Sequence, residues 1–521
     1  MKQINYSVLF FSLSLIVQSV MGRYYEEKNW KDRNVRPKYD TRFLENQDLH
    51  TEDDLNDDIK FHCGPCSSSS SSSSDSDDCK CDKIIPITKV PYTIKKSGKY
   101  CLAKDVEYCG KNAAITIKAN DVTLNLSNHS IVLTQPATAI LILGAEVTIK
   151  DDGLHYKPNH RGPGIAIGVH IKNTSKVNIA DVAAGGFDNG VLIENSEDVQ
   201  LHNCRFVGCP FSGISSINSR AVLLQHITLK DNGYGLIFDE GCKDCFIDQI
   251  YETNSVTGTF IRWIDGITIQ NSFFEITSAN DAFSCMQVGS ELESQGRVND
   301  ILISNCHFIN RQIITQSSPA AGFDGLAFVA GSNAVVQNCV IDINASARNA
   351  NPTLGLFFYQ NGALHISGTI PESNSFEPLS DRIFTNLRVT DCVITNSGSN
   401  GIVTENFTHN VTIENSTISG RVGALLQGTS AFVFKNNEIQ HCGITGISIG
   451  ESGLLLPILG STSNAILNNV IANNSQIGVS LSDRSKFNLV TNNQIFSNAV
   501  HNVFDQGSNN QIFNNVVYNP F

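Results

Sequence analysis

Residues 415–418 read Asn-Ser-Thr-Ile, and the same pattern of an asparagine, two variable residues and an apolar residue returns at 436–439, 468–471, 492–495 and 514–517. Earlier copies begin at Asn203, Asn271, Asn305 and Asn338, and Asp391 replaces the asparagine in one further copy. From position 391 onward, successive copies begin 21 to 32 residues apart. A unit that returns at this length is the sequence signature of a solenoid.

The segments between the copies indicate the kind of solenoid. Residues 446–449 (Gly-Ile-Ser-Ile) and 478–481 (Gly-Val-Ser-Leu) are β-rich runs with a period of two, and no helical stripe separates them. Short strands joined by asparagine corners predict an all-β fold, a parallel β-helix of about 17 rungs stacked ~4.8 Å apart. Asparagine suits such a corner because it tolerates left-handed φ, and its amide can bond the same amide one rung away. A β-sandwich with asparagine-rich turns is the alternative.

The first 82 residues differ in composition from the rest. Lys2 precedes an apolar stretch that runs from Val8 to Val20, which predicts a signal peptide over 1–22 and a secreted or particle-surface protein. Residues 23–82 are acidic and poor in apolar residues, so they are expected to form a disordered arm that ends in a poly-serine linker at 67–74. In an exported chain, C-x2-C and C-x-C spacing around this linker favours disulfides over a zinc site. The cysteines concerned are Cys63, Cys66, Cys79 and Cys81.

The folded body is expected to begin at residue 83, with an N-terminal cap over 83–112. Residues 91–102 (PYTIKKSGKYCL) and 114–131 (AITIKANDVTLNLSNHSI) resemble the opening of secreted right-handed parallel β-helix proteins of the pectin-lyase-like superfamily. A turn that usually reads Asp-Leu-Asn-Gly-His in that family is Asn-Leu-Ser-Asn-His at 125–129. The resemblance implies a right-handed β-helix over 83–521, but one scaffold of this kind hosts many functions. We expect Cys101 and Cys109 to form a disulfide in the first rung.

Three consecutive gaps, after the copies at 271, 305 and 338, are longer than the basic period. Insertions in a solenoid fall on loops, so these gaps predict a binding groove over residues 275–384. Because aromatic rings serve as platforms for sugars, Phe358 and Tyr359 are candidate glycan-binding residues, together with Arg311. Asp281 and Asp324 are candidate catalytic carboxylates in the same groove. The alternative is that these are solvated loop charges.

The catalytic motifs of known relatives of this fold are largely missing. A glycoside hydrolase of the inverting type needs two carboxylates ~6.5–9.5 Å apart. Asn280-Asp281 matches at best half of one polygalacturonase motif, and Thr445 stands where another motif requires a histidine. These departures argue against a polygalacturonase.

A calcium-dependent lyase would need a cluster of acidic oxygens with a basic residue. The nearest approach in the sequence combines Asp239-Glu240 with Asp265 and Arg262 one rung further, and we expect no metal site from it. The chain has no Walker-type loop and no Rossmann fingerprint, so no nucleotide cofactor is expected.

Cysteines recur at one position of the repeat, directly after the corner residue. We expect them to be small buried core residues. They are Cys204, Cys306, Cys339 and Cys392. Cys242 and Cys245 form a C-x2-C pair, but no further ligands lie at zinc-finger spacing from them. A disulfide or two free thiols are therefore favoured over a zinc site.

Together these features predict a secreted or particle-surface β-helix protein, structural or adhesive, that contacts a polysaccharide or glycan in the groove at 275–384. A polysaccharide hydrolase or lyase is the alternative. The net charge of −13 and the absence of a basic stripe argue against nucleic acid, and no segment after the signal peptide is long enough to span a membrane. Eight Asn-x-Ser/Thr sequons after the predicted signal peptide make the chain a candidate glycoprotein. The open C-terminal end, near Tyr518, Pro520 and Phe521, could be covered by those residues or by another subunit.

Overall fold

The structure is a computed structural model that describes twelve segments of the chain. They are residues 84–157, 164–277, 284–289, 297–311, 313–314, 324–329, 331–343, 346–347, 362–367, 384–405, 408–450 and 460–518. The predicted signal peptide, the acidic arm and four of the cysteines proposed for disulfides, Cys63, Cys66, Cys79 and Cys81, lie outside these segments.

The described residues form short parallel strands in two large sheets. One sheet has sixteen strands, in the order in which they occur along the chain. These strands are β2 (Tyr92–Ile94), β5 (Ala113–Ile117), β8 (Thr138–Ile142), β10 (Ile167–Lys172), β12 (Asn189–Glu194), β15 (Ser212–Ile217), β17 (Tyr234–Asp239), β19 (Thr259–Ile261), β22 (Ser284–Gly289), β26 (Asp324–Val329), β30 (Gly362–Ser367), β33 (Asn400–Glu405), β36 (Val422–Leu426), β39 (Thr445–Ile449), β42 (Ile477–Leu481) and β45 (His501–Asp505).

The second sheet has 29 strands and bends at a corner, so that it covers two sides of the solenoid. Its strands are β1 (Ile85–Ile87), β3 (Gly98–Leu102), β4 (Val106–Tyr108), β6 (Val122–Asn125), β7 (Ile131–Leu133), β9 (Val147–Tyr156), β11 (Ser175–Gly185), β13 (Glu197–His202), β14 (Arg205–Val207), β16 (Arg220–Lys230), β18 (Cys242–Thr253), β20 (Ile264–Gln270), β21 (Phe273–Ile276), β23 (Val298–Ser304), β24 (His307–Asn310), β27 (Gly331–Gln337), β28 (Val340–Ile343), β31 (Phe384–Thr390), β32 (Val393–Asn396), β34 (Thr408–Glu414), β35 (Thr417–Ser419), β37 (Thr429–Lys435), β38 (Glu438–Gln440), β40 (Ala465–Leu467), β41 (Val470–Ala472), β43 (Leu489–Thr491), β44 (Gln494–Phe496), β46 (Gln511–Phe513) and β47 (Val516–Tyr518). A separate pair joins β25 (Ile313–Ile314) to β29 (Ser346–Ala347).

Each rung contributes up to three strands to the two large sheets, and each of these strands pairs in parallel with its counterpart in the neighbouring rungs. In one rung, for example, β23 and β24 lie in the larger sheet and β26 follows in the sixteen-stranded sheet, where it pairs with β22 and β30. This is the predicted parallel β-helix. The sixteen strands of the smaller sheet mark sixteen described rungs, close to the expected number of about 17.

The repeated asparagine lies at the corner between two strands of a rung, as predicted. Asn415, Asn436, Asn468, Asn492 and Asn514 all have φ between 53° and 58°. The register places them in one file, since the flanking strands β34, β37, β40, β43 and β46 pair in that order. The Asn436 amide donates to Asn415 Oδ1 over 3.4 Å, which is the bond between corner amides that the sequence predicts. The left-handed corner would strain most residues, and it is therefore occupied by asparagine, which tolerates this conformation.

The interior is filled by the apolar residues that alternate along each strand. Equivalent side chains stack from rung to rung, and the rings of Phe274 and Phe308 lie 5.2 Å apart and 5° from parallel. Buried amides replace part of this apolar packing at the corners of the later rungs. Asn437, Asn469 and Asn493 form a continuous amide ladder, in which each side chain donates to the next.

Two expectations concern the ends of the solenoid. Cys101 is buried in β3 and Cys109 follows β4 and is exposed, and the predicted disulfide between them stays a prediction. Tyr518 belongs to β47 in the last described rung and is 65% exposed, and its role in covering the end also stays a prediction. Pro520 and Phe521 lie outside the described residues.

Candidate functional site

The three predicted insertions interrupt the rungs that contain β22, β26 and β30. Undescribed residues separate each of these strands from the preceding strand of the larger sheet, and further undescribed residues follow each of them. Asp281, Phe358 and Tyr359 belong to those residues, so their predicted roles concern positions outside the described segments. Asp324 and Arg311, by contrast, lie on or beside described strands.

A column of outward-facing aromatic rings runs along the side of the solenoid that precedes these insertions. Tyr251, Phe273 and His307 occupy one register position on β18, β21 and β24. The Tyr251 and Phe273 rings stack with their centroids 5.2 Å apart and 14° from parallel, and the His307 ring is 6.4 Å from Phe273. Tyr251 is 51% exposed. We call these three residues the aromatic column.

Strand alternation explains why the aromatic column faces outward. Along β21, Phe274 and Ile276 point into the core, whereas Phe273 and Glu275 alternate with them and point away from it. Val340 and Val393 continue the column on β28 and β32, and Val393 is exposed. The result is an apolar stripe that crosses five successive rungs on the outer surface.

Polar groups lie beside the aromatic column, at the next outward-facing position along the same strands. The Glu275 carboxylate lies 3.4 Å from the Arg311 guanidinium. Two rungs beyond Glu275, Asp342 Oδ1 accepts a hydrogen bond of 2.5 Å from the Thr395 hydroxyl. Arg311, predicted as a binding residue, therefore lies beside the aromatic column. Sequence analysis missed the column itself because its members are 22 and 34 residues apart and only the register brings them together.

Asp324 forms the most constrained polar cluster of the insertion-bearing rungs. Its Oδ2 lies 3.2 Å from His365 Nδ1, and its Oδ1 accepts a 3.2 Å hydrogen bond from the Gly362 amide. The Ser284 hydroxyl lies 3.5 Å from Oδ2 on the preceding rung. The Asp324 side chain is 6% exposed and that of His365 17%. A buried carboxylate therefore orients a largely buried imidazole, which is an arrangement that can move a proton.

The other two candidate carboxylates are not neighbours of Asp324. Asp239 pairs with Arg262 one rung away, with guanidinium nitrogens 2.5 and 2.6 Å from Oδ2. Its strand β17 is three strands from β26, which separates Asp239 from Asp324 by at least ~14 Å. Asp265 is exposed on β20 in the other sheet. Asp324 and Asp239 therefore do not form the ~6.5–9.5 Å pair that an inverting glycosidase uses.

A buried carboxyl that the sequence analysis did not single out lies beneath this region. Glu252 points into the core between Leu229 and Phe274, in the position that strand alternation reserves for apolar residues. Burial raises its pKa to about 8, and hydrogen bonding, including that from the Thr259 hydroxyl at 3.0 Å, offsets this only in part. Glu252 is therefore protonated at neutral pH.

The described residues present neither a metal-binding cluster nor a membrane-spanning helix. Within the described segments, no group of three or more His, Cys, Asp or Glu side chains is arranged to hold a metal ion. Nor does the described structure contain a helix long and apolar enough to cross a membrane.

Comparisons with known proteins were made for sequence and for structure. A comparison with curated protein sequences finds no match. Among solved structures, the A-module of the mannuronan C-5 epimerase AlgE6 of Azotobacter vinelandii shares 14% identity over 85% of this chain and 92% of its own, with a TM-score of 0.35. The periplasmic alginate epimerase AlgG shares 10% over 78% of both chains, with a TM-score of 0.35. A tailspike double mutant of E. coli bacteriophage HK620, solved with a pentasaccharide, shares 11% over 84% of this chain and 74% of its own, with a TM-score of 0.37.

At these sequence identities and TM-scores, the similarity to solved structures gives no information about the function of this chain. The family is shown by sequence instead. The family model described as "Right handed beta helix region" matches residues 104–250, 324–457 and 383–517, which together cover more than half of the chain. The chain belongs to the family of right-handed β-helix proteins.

Proposed function

We propose that this protein is a rigid rod, secreted or held on a particle surface, that binds a polysaccharide or glycan along its side. The aromatic column formed by Tyr251, Phe273 and His307 is the observation that carries the proposal. Aromatic rings that remain exposed in a folded protein have a hydrophobic face that the fold itself does not use. The C–H faces of sugar rings are suitable partners for it.

The spacing and the surroundings of the aromatic column fit an elongated ligand. Its members repeat at the inter-strand distance of ~4.8 Å, along the axis of the solenoid. Glu275, Arg311, Asp342 and Thr395 supply donors and acceptors beside the apolar stripe, as hydroxyl groups of a sugar require. The net charge of −13 disfavours polyanionic glycans, so a neutral or cationic glycan is the expected class.

A glycan array probed with the full chain tests this proposal, followed by titration of the best-binding oligosaccharide. Tyr251→Ala and Phe273→Ala should each weaken binding ~3- to 10-fold, since an aromatic contact contributes ~0.5–1.5 kcal/mol beyond buried area. Phe487→Ala is the matched control, because Phe487 is a 60% exposed aromatic residue on a distant rung. Equal binding by all four proteins would remove the aromatic column from the site.

A second candidate function, polysaccharide cleavage, is favoured by one observation. His365 lies on β30 with its side chain 17% exposed, and the buried Asp324 carboxylate orients its ring over 3.2 Å. In this proposal His365 acts as the general acid or base, and Asp324 is a positioning residue. Release of reducing ends from a polysaccharide panel, lost in His365→Gln and reduced in Asp324→Asn with a changed pH profile, would support cleavage. Binding without any release by the unaltered protein would contradict it.

A further inference from the structure

Three cysteines occupy the same inward position in three successive rungs. Cys306, Cys339 and Cys392 each follow a left-handed corner, and their side chains are at most 1% exposed. Their backbones stack directly, because Val340 N–H donates to the Cys306 carbonyl and Val393 N–H to the Cys339 carbonyl, both over 2.9 Å. We call these three residues the thiol column.

We propose that Cys339 forms a disulfide with one of its two neighbours in the thiol column, Cys306 or Cys392. In-register parallel strands bring successive Cα atoms to ~4.8 Å, within the ~4.4–6.8 Å that a disulfide spans. Cys306 and Cys392 are two rungs apart, about twice that distance, so they cannot pair with each other. This inference does not depend on glycan binding.

The thiols already contact one another. The hydrogen bond with Cys339 lowers the pKa of Cys306, and the same contact raises the pKa of Cys339 to about 12. Contact with Cys339 also raises the pKa of Cys392. Each sulfur additionally lies 3.2 Å from the carbonyl oxygen two residues earlier, so that all three side chains have the same orientation. The three sulfurs thus line one edge of the core at rung spacing.

The rest of this position along the solenoid shows that packing alone does not require cysteine. The rung before the thiol column has Ser272 and the rung after it has Ser416, and both hydroxyls bond the same carbonyl two residues earlier. Later rungs use the buried amide ladder that begins at Asn437. Cysteine is the weakest hydrogen-bonding residue of the three types. Earlier rungs have Val182, Cys204 and Ile227 at this position, so a single cysteine also occurs there without a thiol neighbour. Cys306, Cys339 and Cys392 differ from it because three consecutive cysteines bring thiols within bonding reach of one another.

The location suggests what the bond does. A Cys306–Cys339 or Cys339–Cys392 bond encloses 33 or 53 residues, respectively, and either loop contains one or more of the long insertions. A rung with a long insertion has lost the short connection that fixes its strands, and cross-linking restrains such a loop in the unfolded chain. The disulfide would therefore secure the rungs that carry the predicted groove.

Formation of the bond requires a disulfide as the oxidant, such as oxidised glutathione, during folding. The Cys339 thiolate displaces one glutathione thiolate and forms a mixed disulfide; the thiolate of Cys306 or Cys392 then attacks the Cys339 sulfur and releases the second glutathione thiolate. Two protons and two electrons leave the cysteines, and one glutathione disulfide becomes two glutathione thiols. The remaining cysteine of the column stays reduced.

Peptide mapping of the full chain, folded with a glutathione redox buffer, tests the proposal. The protein is unfolded without reductant in the presence of an alkylating reagent, digested and analysed by mass spectrometry. We expect Cys339 to be unalkylated and recovered in a peptide linked to Cys306 or Cys392. Complete alkylation of all three residues, or a Cys306–Cys392 link, would overturn the proposal.

Serine variants provide the controls. Cys339→Ser copies the residue of the neighbouring rungs, so it should fold, and it should leave both Cys306 and Cys392 fully alkylated. Cys204→Ser is the matched control, since Cys204 follows an equivalent corner but stacks against Val182 and Ile227, which carry no thiol. Reductant should lower the midpoint of thermal unfolding of the unaltered protein and of Cys204→Ser, but not that of Cys339→Ser. An equal response of all three would also contradict the bond.

Discussion

The Thr259 hydroxyl donates a 3.0 Å hydrogen bond to Glu252 Oε2 inside the solenoid. Glu252 occupies a core position that Leu229 fills on the preceding rung and Phe274 on the following one. Gly235 leaves the space for the carboxyl, because a Cβ added there would lie 2.0 Å from Glu252 Oε1. A carboxyl in such a site is favoured only in its neutral form.

Stability should therefore fall as pH rises toward the pKa of Glu252. The pKa is about 8 in the folded state and 4.5 for the unperturbed side chain, so the folded protein binds the proton more tightly. The contribution is complete below pH 4.5 and is lost as pH rises through 8. Glu252→Gln, which cannot ionise, should remove up to ~3–5 kcal/mol of the pH dependence of the free energy of unfolding between pH 5 and 8.5.

Urea unfolding at several pH values measures this dependence. The window ends at pH 8.5 because burial raises the pKa of the neighbouring Cys285 thiol, which adds a loss of the same sign at higher pH. The charge of Asp324 also raises the pKa of Cys285, but Asp324 is present in both the unaltered protein and Glu252→Gln. The difference between the pH dependences of their unfolding free energies therefore reports the titration of Glu252. Parallel pH profiles for the unaltered protein and Glu252→Gln would show that the carboxyl does not titrate in the fold.

The buried amide ladder gives a prediction about the later rungs. Asn469 accepts hydrogen bonds from the Asn437 backbone and side chain over 2.8 and 3.1 Å, and its own amide donates to the Phe434 carbonyl and to Asn493. Asn469→Ala leaves several of these buried groups unpaired and should cost ~3–5 kcal/mol of unfolding free energy.

Two further variants separate the ladder from general packing. Asn469→Ser keeps a hydroxyl like that of Ser416 in the same file and should cost less than the alanine variant. Asn468→Ala changes the exposed corner residue beside it, with φ of 56°, and should cost only ~1–2 kcal/mol. Equal losses for all three variants, measured by urea unfolding, would show that the amides contribute no specific stability.

Prediction from sequence worked where the signal is local and repeated. A corner that returns as asparagine indicates left-handed φ, stacking and parallel pairing, and all three are found at Asn415, Asn436 and Asn468. The corner does not indicate which outward residues meet. His365 reaches Asp324 across 41 residues that include an insertion, and a shift of register by one residue would separate them.

The expected Cys101–Cys109 disulfide stays a prediction. Tyr100 and Leu102, on either side of Cys101, point into the core, so Cys101 lies on the opposite face of β3, and Cys109 lies at the surface after β4. Glu252 was missed because alternation treats each inward position as apolar, and one buried carboxyl in an otherwise regular strand leaves the pattern intact.

Corner chemistry also predicts a stabilising substitution. Ala431 has φ of 53° at a corner where earlier rungs have Asn386 and Asn410, and the Asn410 amide donates to Asn386 Oδ1 over 2.6 Å. Alanine is strained in this conformation, whereas asparagine tolerates it and could extend the amide file. Ala431→Asn should therefore raise the free energy of unfolding by ~0.5–1.5 kcal/mol. Ala431→Val, with a branched side chain, should lower it, and the same sign for both substitutions would contradict the role of φ.

Asp239 and Arg262 provide the last prediction, because the structure gives them a structural role that differs from the catalytic one considered for Asp239. The side chains are 9% and 29% exposed and are joined by two short contacts, and the Arg262 guanidinium also lies 5.4 Å from the centre of the Phe260 ring. Arg262→Ala leaves a largely buried carboxylate without its cation and should cost ~2–4 kcal/mol. The double variant with Asp239→Ala should recover part of that loss, because no unpaired charge then remains. Lys176 and Glu146, joined over 2.8 Å but 60% and 54% exposed, are the matched surface pair, for which the loss in Lys176→Ala should be much smaller than that in Arg262→Ala. If the double-mutant cycle gave the same small coupling for both pairs, burial would not distinguish them, and Asp239 would again be available for a role at the surface.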